Sequence, residues 1–352
     1  MNILFLINYA GNSGSEKYVD NLQRLFTQKG HTCYFAYNVP GKLSETMNER
    51  GVTSFQLPLT SSDISSSAKL LGKFCEDNRI DVIHAQFPVE NIIAIKACKY
   101  YKNMKVVFTS HLSDKQGLKW KILNKINTPK NHKIICVCDE GKENLIASGI
   151  DSNKIKVIYN GIEYDDSEVK THSNTPFKMI TIARYAPEKG LMFLLDALCL
   201  VKQRTIRPFT CTIIGEGEEF ELIKAKAKEL GLEKEIIQTG YREDAEDFLK
   251  DSDLYLNSSK SGEAMSFAML EAMNAGLPLV VTNVGGNDKL STKDIVCGKT
   301  VEYGDKLGFA NAVIEYMEND SLLLEHRKEA KRKVKTRYSL SKLADEVLAT
   351  YN

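Results

Sequence analysis

Residues 257–286 read NSSKSGEAMSFAMLEAMNAGLPLVVTNVGG. A polar turn runs to Ser261 and sets Glu263 in a loop. An alanine- and methionine-rich helix is predicted from about Ser266, with Glu271 on its second turn. Gly276-Leu277-Pro278 breaks that helix, the apolar run after it reads as a buried strand, and Gly285-Gly286 turns the chain again. Seven residues separate the two glutamates. On a helix this spacing spans about 12 Å and two turns, so both carboxylates fall on one side. That is the reach from the sugar to the ribose of an extended nucleotide-sugar. Between them the amides of Met265, Ser266 and Phe267, at a helix start, form a natural anion site. The same residues also fit an ordinary β-loop-α-β segment with one solvated and one core-facing glutamate, so the flanking sequence must decide.

Outward from this stretch, short apolar or β-branched runs alternate with helical patterns. In the first half the strand candidates are 3–8, 32–37, 81–85, 105–110, 133–138 and 154–159, and the helices 15–29, 65–78, 89–101, 117–126 and 140–148. After an aperiodic polar stretch, EYDDSEVKTHSNTPF, the strands resume at 177–183, 209–215, 235–240, 253–258 and 277–282. Helical, lysine-rich sequence closes the chain. Such alternation predicts parallel sheets with helices on both faces. The expectation is an α/β chain of two doubly wound domains, 1–165 and 166–338, with 339–352 as a C-terminal helix returning to the first.

Composition narrows the function. The 352 residues suffice for two full cores, and a net charge of +1 argues against a general nucleic-acid binder. No run of 18 apolar residues occurs, and MNILFLIN reads as a first strand, not a secretory signal, so a cytoplasmic protein is expected. The eight cysteines sit in apolar runs without metal-site spacing, which predicts buried thiols. Residues 99–133 are different: nine lysines face the single acid Asp114, and Leu118, Ile122 and Ile126 recur at helical spacing beside Trp120. This predicts an amphipathic element for an anionic membrane surface, against the alternative of a solvated face over ordinary core contacts.

Three further motifs lie at strand ends. Gly14-Ser15-Glu16 follows the first strand, where a ligand at a sheet's switch point would sit. Within IARYAPEKG (182–190), Arg184 and Lys189 supply a guanidinium and an ammonium able to hold a diphosphate, or else form a solvated basic turn. Gly215-Glu216-Gly217 imitates a dinucleotide fingerprint, but Phe220 replaces its third glycine and the acids at 216, 218 and 219 would repel a pyrophosphate. His84 and His111 both end strands.

In one order across nearly the whole chain, these motifs resemble the retaining family-4 glycosyltransferases of the GT-B fold. They run from Gly14-x-Glu16 through IDVIHA, FTSH, VIYNGIE, ARYAPEKG and IIGEGEEFE to GYREDAEDFLKDSDLYLNSS and the glutamate pair. The resemblance implies two Rossmann-like domains facing a central cleft and a retaining hexosyltransferase. Its donor would be a UDP- or GDP-linked sugar and its acceptor a glycan, glycolipid or surface-polymer precursor, with no metal and no cofactor. By position it implies that Glu271 holds the ribose, Glu263 the donor sugar, and Met265, Ser266 and Phe267 the sugar and phosphate through their amides. Arg184 and Lys189 would clamp the diphosphate, Gly240, Tyr241 and Arg242 flank the base, Gly14 approach the phosphate, and His111 face the reaction centre. Two departures stand out: Ala264-Met265-Ser266 replaces a Gly-Phe-Gly, and Asn287-Asp288 replaces a Pro-Glu. The competing readings are a non-catalytic nucleotide-sugar-binding protein, a nucleotide-sugar epimerase or hydrolase on the same fold, and a nicotinamide oxidoreductase.

Overall fold

The computed structural model describes residues 1–111 and 117–352, with only the backbone of Lys119. It divides into two compact units, Met1–Asn160 with Leu340–Asn352, and Gly161–Ser339.

The first unit is built on β1 (Asn2–Tyr9), α1 (Gly14–Gln28), β2 (Thr32–Val39), α2 (Lys42–Glu49), β3 (Thr53–Gln56), α3 (Ile64–Asp77), β4 (Val82–Ala85) and α4 (Pro88–Ala97). There follow β5 (Lys105–Ser110), α5 (Leu118–Asn127), β6 (Lys133–Cys136), α6 (Asp139–Ala147) and β7 (Ile155–Val157). All pairings are parallel, in the order β3-β2-β1-β4-β5-β6-β7. Ile3, Leu4, Phe5, Leu6 and Ile7 are all fully buried. A continuous apolar run, not an alternating one, marks a strand covered on both faces, and each such side chain contributes about 1.5–3 kcal/mol. Order reverses between β1 and β4, so the loops leaving these two strands open a crevice at the sheet's carboxyl edge.

The second unit repeats the plan with β8 (Phe177–Ile182), α7 (Leu191–Arg204), β9 (Phe209–Ile214), α8 (Phe220–Glu229), β10 (Ile236–Gly240), α9 (Ala245–Asp251) and β11 (Leu254–Asn257). It continues through α10 (Phe267–Asn274), β12 (Leu279–Thr282), α11 (Asn287–Ser291), β13 (Gly298–Val301), α12 (Lys306–Glu318) and α13 (Asp320–Arg337). The order β10-β9-β8-β11-β12-β13 places its switch point between β8 and β11. Its core packs α7 and α12 on the sheet through Leu194, Leu198, Val201, Phe309 and Val313.

Several elements depart from the sequence pattern. The edge strands β3 and β13 carry one large apolar residue each, too few for a hydrophobic run, and α2 and the five-residue α11 are short. The unit boundary falls at Asn160/Gly161, ahead of the expected 165/166. The polar segment after it is not loose. Asp165 N bonds Asn274 Oδ1 at 3.0 Å, and Asn174 N and Lys178 N both donate to Asp253 Oδ2.

The lysine-rich helix α13 is likewise no solvated rod. Arg327, 1% exposed, donates to Asp253 Oδ1 at 2.7 Å and to the carbonyls of Lys170 and His172 at 2.8 Å. Lys333, fully buried, donates to the carbonyls of Leu290, Lys293 and Ile295, and burial pushes its pKa down to about 8. In the first unit α14 (Leu340–Leu348) is the return helix. Tyr351 beyond it reaches His84 Nδ1 at 2.6 Å, and Lys105 Nζ takes the carbonyls of Tyr351 and Asn352 at 2.9 and 2.7 Å.

Arg327→Leu strips buried Asp253 of its closest cation and leaves Lys170 Nζ, at 3.5 Å, as the remaining partner, at a cost of about 3 kcal/mol. The expected outcome is a clear fall in the chemical-denaturation midpoint of the second unit, followed by circular dichroism. An unchanged midpoint would contradict the assignment.

Candidate functional site

The site in the second unit lies at the switch point between β8 and β11, in the loops 183–190 and 258–266. Backbone contact welds the two loops. Lys260 N donates to Glu188 O at 2.7 Å, and Ser258 Oγ to Lys189 O at 3.0 Å. Gly190, with φ +63°, sits so close that a Cβ would lie 2.1 Å from Ser258 O. Gly285, φ +58°, packs on the other side, where a Cβ would lie 1.5 Å from Glu263 O. Only glycine satisfies both the backbone angle and the contact.

Glu263 is thereby held almost buried, 6% exposed, with Oε1 accepting Lys189 Nζ at 2.6 Å and Ser259 Oγ at 2.6 Å. Ser259 is in turn fixed by Thr282 Oγ1, which donates to its carbonyl at 2.6 Å. Three residues on, Ser266 caps α10, its Oγ accepting Met269 N at 3.4 Å. The first-turn amides of Phe267 and Ala268 have no helical acceptor, and the positive end of the helix lies there. Met265 and Phe267 bury their side chains, so backbone is what this corner presents.

Glu271 is half-buried on α10. It does not stand one helical span from Glu263, because Glu263 precedes the helix. Both act electrostatically on the fully buried Tyr255, whose hydroxyl donates to Ile182 O at 3.3 Å. Burial raises the Tyr255 pKa most, and the carboxylates of Glu263 and Glu271 raise it further.

The remaining predicted residues of this unit spread along the same edge. Arg184 is exposed and pairs with Glu188 at 2.6 Å, so the structure does not gather it with Lys189 on one carboxylate. Gly240 accepts Gly215 N at 3.0 Å, Tyr241 N reaches Glu216 Oε1 at 3.4 Å, and Tyr185 N donates to Glu216 O at 2.9 Å. The loops after β10, β9 and β8 are thus knitted in succession. Tyr241 is exposed; Arg242 pairs with Asp244, Nε to Oδ1 at 2.7 Å, and lies 5.3 Å from the Phe248 ring centre. Asn287, one of the two departures, is a tie: its Nδ2 donates to Asn257 Oδ1 and Thr282 O, both at 3.1 Å.

Gly14 and His111 belong to the first unit. Gly14 is the first residue of α1, exposed, behind the N-cap Ser13. His111 packs against Tyr18 and Phe87, ring centres at 5.1 and 5.7 Å. Its Nε2 lies 2.9 Å from Gln86 Oε1, and Gln86 Nε2 donates to His84 O at 3.0 Å. Gln86 therefore accepts from His111, which places the proton on Nε2 and leaves Nδ1 as acceptor. Desolvation holds its pKa well below the usual histidine range, so the ring is neutral.

His84, the other strand-end histidine, is not placed to meet a ligand. It is fully buried, bonded to Tyr351 and, at 2.6 Å, to Thr109 Oγ1. Sequence reasoning passed over Ser259 and Tyr255, which have no motif of their own, and Glu90, which follows β4 as Glu16 follows β1. The signal for Glu90 was an acid in the first turn of a helix after a central strand. Among the described residues no three His, Cys, Asp or Glu side chains group as a metal site.

The comparisons with known proteins agree with this geometry. The family model for glycosyl transferases group 1 matches residues 164–337, and that for glycosyltransferase family 4 matches 12–166. The chain is 25% identical to the UDP-Gal:alpha-D-GlcNAc-diphosphoundecaprenol alpha-1,3-galactosyltransferase of Escherichia coli, covering 88% of this chain and 86% of that protein. It is also 25% identical to the phosphatidyl-myo-inositol mannosyltransferase of Mycobacterium leprae, over 92% and 96%. Among solved structures, a glycosyltransferase from Rickettsia africae superposes with a TM-score of 0.86 at 21% identity, over 99% of this chain and 97% of that one. Anabaena Alr3699/HepE in complex with UDP superposes with a TM-score of 0.86 at 18% identity, over 99% of both chains. Two Rossmann-like units in the GT-B pattern, matched between them over residues 12–337 by the two family models, make this chain a member of the group 1, family-4 glycosyltransferases and a transferase enzyme.

Proposed function

We propose that the enzyme transfers a hexosyl group from a UDP-hexose to a membrane-borne glycan precursor, with retention of configuration and without a divalent metal. The observation that carries this reading is the buried Glu263–Lys189 pair at the foot of α10, beside open helix amides. Glu263 would accept the donor sugar's hydroxyls. Lys189, Arg184 and the amides of Met265, Ser266 and Phe267 would take the diphosphate, and Glu271 the ribose. Gly240, Tyr241 and Arg242 would flank the base. Three strand steps, roughly 14 Å, separate the β10 loop from the β11 loop, the length an extended nucleotide-sugar needs. UDP is favoured over GDP because the Escherichia coli relative is named for UDP-Gal and HepE has been solved with UDP-glucose.

In this reading the bond from the anomeric carbon to the β-phosphate oxygen breaks, and the acceptor oxygen bonds on the same face. The acceptor's proton passes to the departing phosphate oxygen. Fixed cations and amide dipoles stabilise the charge that develops there. Neutral His111, with Nδ1 as acceptor, would orient the acceptor or sugar without taking the proton. Gly14 would bring the start of α1 to the phosphate.

The membrane arm rests on α5. Leu118, Ile122 and Ile126 are 74%, 54% and 60% exposed, one apolar stripe at four-residue spacing beside exposed Lys121 and Lys125. Asp114 and Lys115 of the basic stretch lie outside the described residues. No described helix is long and apolar enough to cross a membrane. Such a stripe with flanking lysines suits the surface of an anionic bilayer at its cytoplasmic face.

Three outcomes are expected. Transfer assayed across UDP- and GDP-hexoses persists in excess chelator, while Lys189→Ala and Arg184→Ala each lower kcat/KM about a hundredfold, near 3 kcal/mol. Loss of activity in chelator with recovery on adding magnesium, and near-normal variants, would overturn the assignment. Gly285→Ala displaces Glu263 and lowers turnover by about a hundredfold while the chain stays folded. Anionic vesicles sediment the enzyme more than neutral ones, and Ile122→Asp with Ile126→Asp abolishes the difference; equal binding to both vesicle types would refute the membrane arm.

A further inference from the structure

Helix α11 has five residues, Asn287–Ser291, too few to hold a helix by itself in water, yet it is continuous with the turn that presses on Glu263. Gly285, two residues ahead of it, packs on the Glu263 carbonyl. Leu290 N donates to Gly286 O at 3.3 Å and Asn287 N to Val284 O at 3.1 Å, so helix and turn are one hydrogen-bonded piece. Its amino end is tied by Asn287 Nδ2 to Asn257 Oδ1 and Thr282 O. The carboxyl end of so short a helix leaves carbonyls that its own backbone cannot satisfy.

Lys333 takes them from a different element. Its ammonium, on α13 and fully buried, donates to Leu290 O at 2.8 Å, Lys293 O at 2.7 Å and Ile295 O at 2.8 Å. Cys297 Sγ donates to the same Leu290 carbonyl at 3.3 Å, and Cys297 N to Ser291 O at 2.9 Å. Three carbonyls use all the donors an ammonium has, and a cation at this end of α11 also suits the helix dipole. The backbone bends to reach it. Asp294, between the second and third carbonyls, has φ +61°, a left-handed angle for a residue with a side chain, and its carboxylate pairs with Lys289 of α11 at 3.1 Å. Water satisfies an exposed helix end without the cost of burying a charge. A buried ammonium with every proton engaged does something water does not: it gives 290–295 a single place to lie. From there the route to the site is short, through Leu290 to Gly286 and from Gly285 to the carbonyl of Glu263.

We propose that Lys333 is a positioning residue for the donor sugar: its hold on three carbonyls of 290–295 keeps the Gly285-Gly286 turn against Glu263 and so sets where that carboxylate stands. The inference rests on the reading above in which Glu263 accepts the donor sugar's hydroxyls, and it adds a residue outside the site. The turn bears on Glu263 and not on the β10 loop, so loss of Lys333 disturbs recognition of the sugar and spares that of the nucleotide.

Lys333→Met keeps the length of the side chain and removes its donors. Amide hydrogen exchange, read first on the enzyme without ligand, is expected to quicken about tenfold in 285–297 and in the loop 258–266, and to stay unchanged in β9 and β10. With the hexose donor that supports transfer, kcat/KM for the donor falls about tenfold, while the acceptor KM and the calorimetric Kd of UDP alone stay within about threefold. Arg327→Leu, on the same helix but bonded to Asp253 and the carbonyls of Lys170 and His172, controls for lost stability. Assayed where it remains folded, it is expected to leave the donor kinetics and the exchange of 258–266 as in the wild type. Lys333→Ala is measured with propylammonium, which supplies the deleted carbons and the ammonium, and with tetramethylammonium, which has no N–H to donate. Only the first is expected to restore kcat/KM, and if the methionine variant does not fold, the alanine variant prepared in propylammonium carries the same measurements. Unchanged exchange in 258–266, equal weakening of UDP and of UDP-hexose, the same kinetic defect in Arg327→Leu, or equal action of the two cations would each overturn the proposal. If the wild type transfers from no donor, it is the transferase reading that fails, and the exchange experiment still decides whether Lys333 holds the Glu263 loop.

Discussion

The second unit depends on how closely the chain after β12 approaches the chain after β11. Gly285 presses on the carbonyl of Glu263, and Gly190 presses on the carbonyl of Ser258. These contacts leave Glu263 little freedom: its carboxylate binds Lys189 and Ser259, with α10 starting four residues on. A carboxylate this buried is tolerated because its cation is close and a hydroxyl fills a second bonding position. The arrangement is set before any ligand arrives, which is what electrostatic stabilisation of a departing phosphate demands.

The first unit is organised by neutral polar groups in place of an ion pair. Tyr351, His84, Thr109 and Tyr18 form a buried hydrogen-bonded chain from the C-terminal segment into the sheet, and Gln86 joins His84 to His111. Desolvation holds the His84 pKa down at about 3, so the network carries no charge across ordinary pH. The carboxyls of Glu16 and Glu90 stand outside that network, at the switch point. One unit thus holds a fixed charge pair at its carboxyl edge, and the other a cavity lined by two buried carboxyls.

Much of this was legible from pattern. Strands covered on both faces, such as 3–7, announce themselves as unbroken apolar runs, and the glycine turns after them mark the loops. The glutamate spacing and the order of motifs pointed to the family. Edge strands β3 and β13 escaped because they bury little and so leave no apolar run. The burial of cations on α13 was not legible, because sequence does not show a carbonyl waiting for them; Arg327 and Lys333 are buried where the segments 170–172 and 290–295 supply acceptors.

The sequence by itself determined the fold class, the place of the loop and helix that carry Glu263 and Glu271, and the apolar stripe of α5, because hydrophobic periodicity and local turn chemistry are properties of neighbouring residues. Only the tertiary structure decided which charges meet. It paired Lys189 with Glu263 across 74 residues. It made His84 a structural tie, and it brought Glu16 and Glu90 to one cavity from two different strand ends. These outcomes follow from strand order, since a switch point makes neighbours of loops that are distant in the chain, and nothing local encodes that adjacency.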